Sequence, residues 1–439
     1  MKLTRRRALQ FGAAMALIGY HAGRAQARDA GDGLRRWYHL VLRLVRHTPT
    51  YSPPVASRAF AYLGVAAYQA VASGSASLIS LEGQLNGLTA LPRRTPGESY
   101  SDAVIQHSVM ATAVRAFFGN TGPTGQRVLT ATEKKLRTDA QAGVAEDVIA
   151  RSMAYGDALT AAIIAWSETD GGAVIANMGF PLDYKLTAGK ARWVPTSAIR
   201  QQQFPLLPDW GMNRTFAMPD GATCPLPPPP DYSEDPDSDF YREAREVYDI
   251  TRSLTAEQEA IARFWSDDPM LSPTPPGHWI QIALERLAAE SASLDRTAEV
   301  LMVLGIAMAD AFIGCWNAKY QYDLLRPVTY IRRVIDPAWE PLLITPPFPE
   351  YPSGHSTQSS AAAAVLTKLF GARVSFTDTT HVRDGLEPRH FASFEAAAQE
   401  AGISRLYGGI HFRAAIERGL DQGRCIGQHA LALRTRSST

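Results

Sequence analysis

The chain has 439 residues, 46% of them hydrophobic and 20% charged, a balance that supports a normal globular core and excludes a disordered polypeptide. Its formal net charge is +1, and the first 27 residues hold five basic side chains and no acid; taking those five away leaves −4, which excludes nucleic acid as the main partner. Three cysteines, Cys224, Cys315 and Cys425, allow one disulfide at most and exclude a disulfide-dependent scaffold.

Residues 1–27 read as an export signal: a basic start, an apolar stretch from Phe11 to Gly19 too short to span a membrane, and Ala25-Gln26-Ala27 as a cleavage site. Thr4-Arg5-Arg6-Arg7-Ala8-Leu9 resembles the twin-arginine signal, so the expectation is a periplasmic or secreted protein beginning at Arg28. From Leu34 to about Trp166 apolar residues recur every three or four positions, as in Trp37, Leu40, Val41, Leu44 and Val45, and predict an N-terminal helical half over 28–177. Residues 178–238 are rich in proline and aromatics, with Pro227 to Pro230 followed by Asp231, Glu234, Asp235 and Asp237, and are expected to form a long connection.

The remainder, 239–439, is expected to be a second, catalytic helical half. Thr255-Ala256-Glu257-Gln258 is a capping box opening a helix through Trp265, and Pro275-Pro276-Gly277 precedes another from His278 to Leu287. Ser293-Leu294-Asp295 caps a long helix reaching about Tyr320. Its apolar run, Val300 to Trp316, is interrupted by Asp310 and reads as a buried bundle helix, so no transmembrane helix is expected in the mature chain. Ser353-Gly354-His355 begins an alanine-rich helix ending at Gly371, and a last helix runs from about His411 to Leu433. No stretch alternates with a two-residue period and no repeat emerges, so the predicted fold class is mainly α, two helical-bundle halves joined by long proline-rich loops.

Three clusters in the last part of the chain hold anion-binding groups. Lys319 and Arg326, seven residues apart, would lie near one helix face if the helix persisted between them. In Pro352-Ser353-Gly354-His355 a helix N-terminus offers unpaired amides and a serine hydroxyl to an oxyanion, with His355 as acid or base. Ser404-Arg405-Leu406-Tyr407-Gly408-Gly409-Ile410-His411 brings another arginine and histidine around a glycine-containing loop. Together Lys319, Arg326 and Arg405 supply fixed charge suited to a tetrahedral anion. His278, His381 and His390 are scattered in loops, and neither a His-Glu-x-x-His spacing nor paired cysteines point to a heme or metal-ion enzyme.

In this order and spacing the three clusters resemble the signature shared by vanadium-dependent haloperoxidases and type-2 phosphatidic acid phosphatases. The resemblance implies vanadate, or phosphate in a phosphatase, as the bound group. It implies His411 as the vanadium ligand, or as the nucleophile that becomes phosphohistidine, and His355 as the acid–base group. Lys319, Arg326, Arg405, Ser353 and Gly354 would hold the equatorial oxygens, and Lys319 would also polarise peroxide. Phe348 and Trp316 resemble halide-pocket residues of the haloperoxidase branch, and Ser52-Pro53-Pro54, Pro208-Asp209-Trp210-Gly211 and Pro275-Pro276-Gly277-His278-Trp279 resemble its secreted bacterial members. The implied reaction is oxidation of halide by hydrogen peroxide to hypohalous acid, with an organic acceptor as a further candidate partner. A secreted phosphatase and a non-catalytic oxyanion binder are the alternatives. Asp267 and Asp268 are candidates for a carboxylate that braces the arginines, and spacing does not choose between them.

Overall fold

A computed structural model describes residues 31–175, 179–197 and 203–437; the export segment, residues 1–27, and its cleavage site lie outside them. Helix α1 covers 31–46. It is followed by α2 (Pro53–Ala72), α3 (Asp102–Phe118), α4 (Pro123–Gln141), α5 (Glu146–Ser167) and the single turn α6 (Gly172–Ile175). The second half holds α7 (Asp239–Arg252), α8 (Ala256–Phe264), α9 (Thr274–Ala289), α10 (Leu294–Tyr322), α11 (Pro327–Val334), α12 (Gly354–Phe370), α13 (Phe394–Tyr407) and α14 (Arg413–Leu431). The fold is mainly α, as the spacing of apolar residues requires.

Helix α10 is the axis of the molecule. It packs along α2 from the N-terminal half and against α12 and α14 from the C-terminal half, so one hydrophobic core runs through both. Close approach explains two glycines: a Cβ on Gly64 would sit 2.9 Å from Met302 Cα of α10, and one on Gly423 would sit 2.1 Å from the Thr357 carbonyl of α12. Helices α5 and α10 are each long and apolar enough to cross a membrane, but the apolar window of α10 is wholly buried inside the protein. Asp310, the acid that interrupts this window, accepts N–H bonds from Phe216, Ala217 and Met218 at 2.7–2.9 Å. A buried carboxylate is tolerated because it absorbs three otherwise orphaned amides, and it ties the 203–238 segment to the core. The same segment is joined to α14 by the Cys224–Cys425 disulfide, while Cys315 is free and buried.

Local signals placed most helix ends within a residue or two. The capping box at Thr255 and Gln258 is formed, and Ser293 and Ser353 cap α10 and α12 through their hydroxyls. Several expectations need correction. Helix α9 starts at Thr274, with Pro275 and Pro276 inside its first turn, where a missing N–H costs nothing, so His278 lies in a helix and not in a loop. The last helix starts at Arg413, leaving His411 in the loop before it. Helix α10 does not persist from Lys319 to Arg326: Asp323 takes a left-handed cap (φ 49°), and Pro327 opens α11. Two short strands, β1 (Phe376–Asp378) and β2 (Arg389–Phe391), pair antiparallel with Phe376 opposite Phe391. Three residues are too few to display an alternating pattern.

Candidate active site

The last turn of α10, the start of α12 and the loop between α13 and α14 converge at one end of a cavity of about 560 Å³. Gly354, His355, Arg405, His411, Trp316 and Phe348 line it, while Pro53 at the start of α2 and Ile344 line it farther out. Lys319, Arg326 and Ser353 stand behind this wall, fully buried. Thus the three sequence clusters do meet, although the Lys319–Arg326 pair meets across a chain reversal and not along a helix.

Each cation is held by backbone carbonyls. Lys319 Nζ donates to Pro349 (2.9 Å), Glu350 (3.0 Å) and Pro352. Arg326 donates through Nε to Phe348 O (2.8 Å) and through Nη1 to Ile410 O (2.9 Å), and Arg405 Nη1 donates to Trp265 O (2.8 Å). None of the three forms an ion pair with a carboxylate among the described residues, and Arg326 Nη2 and Arg405 Nε are buried donors with no protein partner. Burial lowers all three affinities for protons, that of Lys319 to about 7 and those of the arginines to about 10. Buried positive charge with unspent donors is costly unless an anion completes it.

The two histidines differ in how they are held. His411 shares its Nδ1 with Glu350 Oε1 at 2.8 Å, and Arg326 Nη1 lies 3.2 Å from its Nε2. Burial, then the charges of Arg326 and Lys319, push its pKa well below the usual value, so the ring is neutral. Because the Arg326 guanidinium can only donate, Nε2 is the accepting nitrogen, which places the proton on Nδ1, facing a Glu350 oxygen that also accepts the Phe412 N–H (2.8 Å). His355 is likewise driven well below its ordinary value by burial and by Arg405, and its Nε2 has no partner. At α12 the Ser353 hydroxyl accepts the Ser356 N–H, and the Gly354 and His355 amides are the free ends of the helix.

Trp316 and Phe348 form a ring wall with centroids 4.9 Å apart, and Lys319 Nζ lies 5.8 Å and 5.2 Å from the two centroids. Such contacts favour the charged lysine against its burial.

Residues 299–438 match the family described as the VCPO second helical-bundle domain. Over 142 residues the chain is 28% identical to vanadium chloroperoxidase of Curvularia inaequalis, a match covering 27% of this chain and 23% of that protein's length. A solved bacterial vanadium-dependent iodoperoxidase is similar over nearly the whole molecule: 37% identity, TM-score 0.84, 93% of this chain and 97% of that one. The chain belongs to the vanadium-dependent haloperoxidases. A bacterial vanadium-dependent chloroperoxidase, at 18% identity, shares the fold with a TM-score of 0.68 over 89% of this chain and 94% of its own.

In this haloperoxidase the carboxyl group beside the anion pocket is Glu350, which sequence reasoning passed over although it lies between Phe348 and Pro352-Ser353-Gly354-His355. A glutamate three residues before a helix cap carries no local signal of burial; only the fold shows it to be wholly inaccessible, with its pKa raised by that burial to about 8. Asp267 and Asp268 are divided by the structure. Asp268 is the carboxylate that most affects Arg405, without an ion pair, whereas Asp267 is hydrogen-bonded to His278 and His381. These two histidines, expected to be scattered, are neighbours.

Proposed function

We propose that the protein is a vanadate-dependent haloperoxidase that uses hydrogen peroxide to oxidise halide to hypohalous acid. The observation that carries this reading is a set of three buried cations, unpaired with any carboxylate among the described residues, gathered around a neutral His411 whose Nε2 is free of its proton. Vanadate fits that donor set, and when bound it would supply a Lewis-acidic centre that activates peroxide toward halide. The orphaned Arg326 Nη2 and Arg405 Nε, with the Gly354 amide and the Ser353 hydroxyl, would hold its oxygens, and His411 Nε2 would bond its central atom. Lys319 contributes charge from behind the wall, and His355, whose Nε2 has no partner, would take up or return a proton. Trp316 and Phe348 would form the halide pocket. Toward its mouth the cavity presents the exposed Leu271 and Ile344, a surface suited to an apolar organic acceptor.

Apo-protein assayed with peroxide and iodide or bromide should be inactive until orthovanadate is added, and phosphate should inhibit by competing for the same cations, an inhibition that more vanadate relieves. Brisk phosphomonoester hydrolysis that vanadate only inhibits would instead establish the phosphatase acting through His411. Tight anion binding with neither activity would leave a non-catalytic binder.

We further propose export to the periplasm or beyond, on the basis of the twin-arginine segment and of the Cys224–Cys425 disulfide, a bond that persists in oxidising compartments. Replacing Arg5 and Arg6 by lysine should hold precursor in the cytoplasm; unchanged export would point to the general secretory route.

A further inference from the structure

Beside the anion pocket, with Asp267 itself among the residues that line the cavity, lies a second cluster that the haloperoxidase reading does not use. Asp267, buried on the turn after α8, accepts from or shares protons with two rings: His278 Nδ1 at 2.9 Å and His381 Nε2 at 3.1 Å. Each ring has a further carboxylate at its other nitrogen, Asp378 at 2.7 Å from His278 Nε2 and Asp384 at 3.0 Å from His381 Nδ1. One ligand atom from each of Asp267, His278 and His381 lies within 4.8 Å of the other two.

All four ring nitrogens therefore face carboxylates. With protons alone, the four contacts need four protons where two neutral rings carry two, and the extra pair crowds around a single shared aspartate between rings whose centroids are 4.9 Å apart. A divalent cation in place of the two inner protons leaves the net charge of the cluster unchanged. Each ring then becomes a neutral ligand with one N–H directed to its outer carboxylate, the arrangement that orients metal-bound histidines. Metal binding would release those two protons to solvent.

We propose that Asp267, His278 Nδ1 and His381 Nε2 form a binding site for a first-row divalent metal ion, zinc being the best fit to two imidazoles and a carboxylate. Oxygen-seeking calcium and magnesium are poor matches for this donor set. The site joins three separate segments: the turn after α8, helix α9, and the turn after β1. Its role is structural. Trp265, two residues before Asp267, stacks on His278 with centroids 4.5 Å apart and offers its carbonyl to Arg405, so the metal fixes one wall of the anion pocket.

The test does not depend on peroxidase activity. Full-length exported protein, stripped with chelator and dialysed against micromolar Zn²⁺ in vanadium-free buffer, should retain about one equivalent by elemental analysis. Co²⁺ in its place should give visible d–d absorption, and the metal should raise Tm. Asp267→Asn and His381→Gln should each lower retained zinc at least tenfold; His381 lies at the edge of the cluster, so its variant should keep a native far-UV CD spectrum even where an Asp267 variant fails to fold. Retention of less than about a tenth of an equivalent by wild-type protein, or equal retention by folded His381→Gln protein, overturns the proposal.

Discussion

The anion pocket and the Asp267 cluster are built from the same residue classes and have opposite balances. Around Lys319, Arg326 and Arg405 positive charge is buried, its donors are partly unspent, and Glu350, beside Lys319 and Arg326, is committed to His411 and Phe412. Around His278 and His381 three carboxylates meet two rings, and every ring nitrogen is engaged. One site keeps unspent donors, while in the other each ring nitrogen already faces a carboxylate and Arg46 pairs with the outermost of them, Asp384. An anion would complete the unspent donors of the first, whereas on the proposal above a divalent cation would replace two protons of the second at unchanged net charge. What separates them is which carboxylates the fold brings within hydrogen-bond reach.

The largest effects should come from the histidines of the anion pocket. His411→Ala should abolish vanadate retention and reduce halide oxidation to background, whereas His355→Ala should keep the anion and lose ~10²–10⁴ in turnover. Equilibrium dialysis of both variants beside kcat measurements checks this; equal loss of binding would remove the division between a bonding and a proton-handling histidine.

Glu350→Ala should weaken oxyanion retention by roughly 10–100-fold, because the His411 proton is no longer fixed on Nδ1. Glu350→Gln, whose amide oxygen can still accept from Nδ1, should lose much less. If the two variants fall together, charge and not tautomer is what Glu350 contributes.

Lys319 sharpens the comparison through pH. With its proton affinity lowered to about 7 and raised again by any bound anion, binding of an oxyanion that does not itself titrate, such as sulfate used as a competitor, should be flat below pH 7. Above that it should weaken by up to about tenfold per pH unit as the free protein loses the lysine proton. A competitor constant that does not vary between pH 6 and 9 would mean that Lys319 stays charged throughout.

The smallest effect is expected at Asp268. If it only offsets the charge of Arg405, Asp268→Asn should tighten anion binding by a factor of a few. A weaker affinity would assign it the bracing role that sequence reasoning left open between Asp267 and Asp268.

Much of the architecture was legible before any coordinates. Caps at Thr255, Ser293 and Ser353, and apolar residues at helical spacing, depend on contacts within a few positions of the chain, and so the sequence by itself determined the mainly helical class and most helix starts. Tertiary structure decided the rest, because it depends on partners far away in sequence. The reversal at Asp323 and Pro327, and not a continuous helix, aims Lys319 and Arg326 at one pocket. Only folding sets Glu350 against His411, 61 residues on, and brings Asp378 to His278, 100 residues away, since hydrogen bonds of that reach leave no periodicity to read. Asp310 shows the same division: its position in an apolar run marked a buried helix, but the three amides that make its burial tolerable belong to residues 92 to 94 positions earlier.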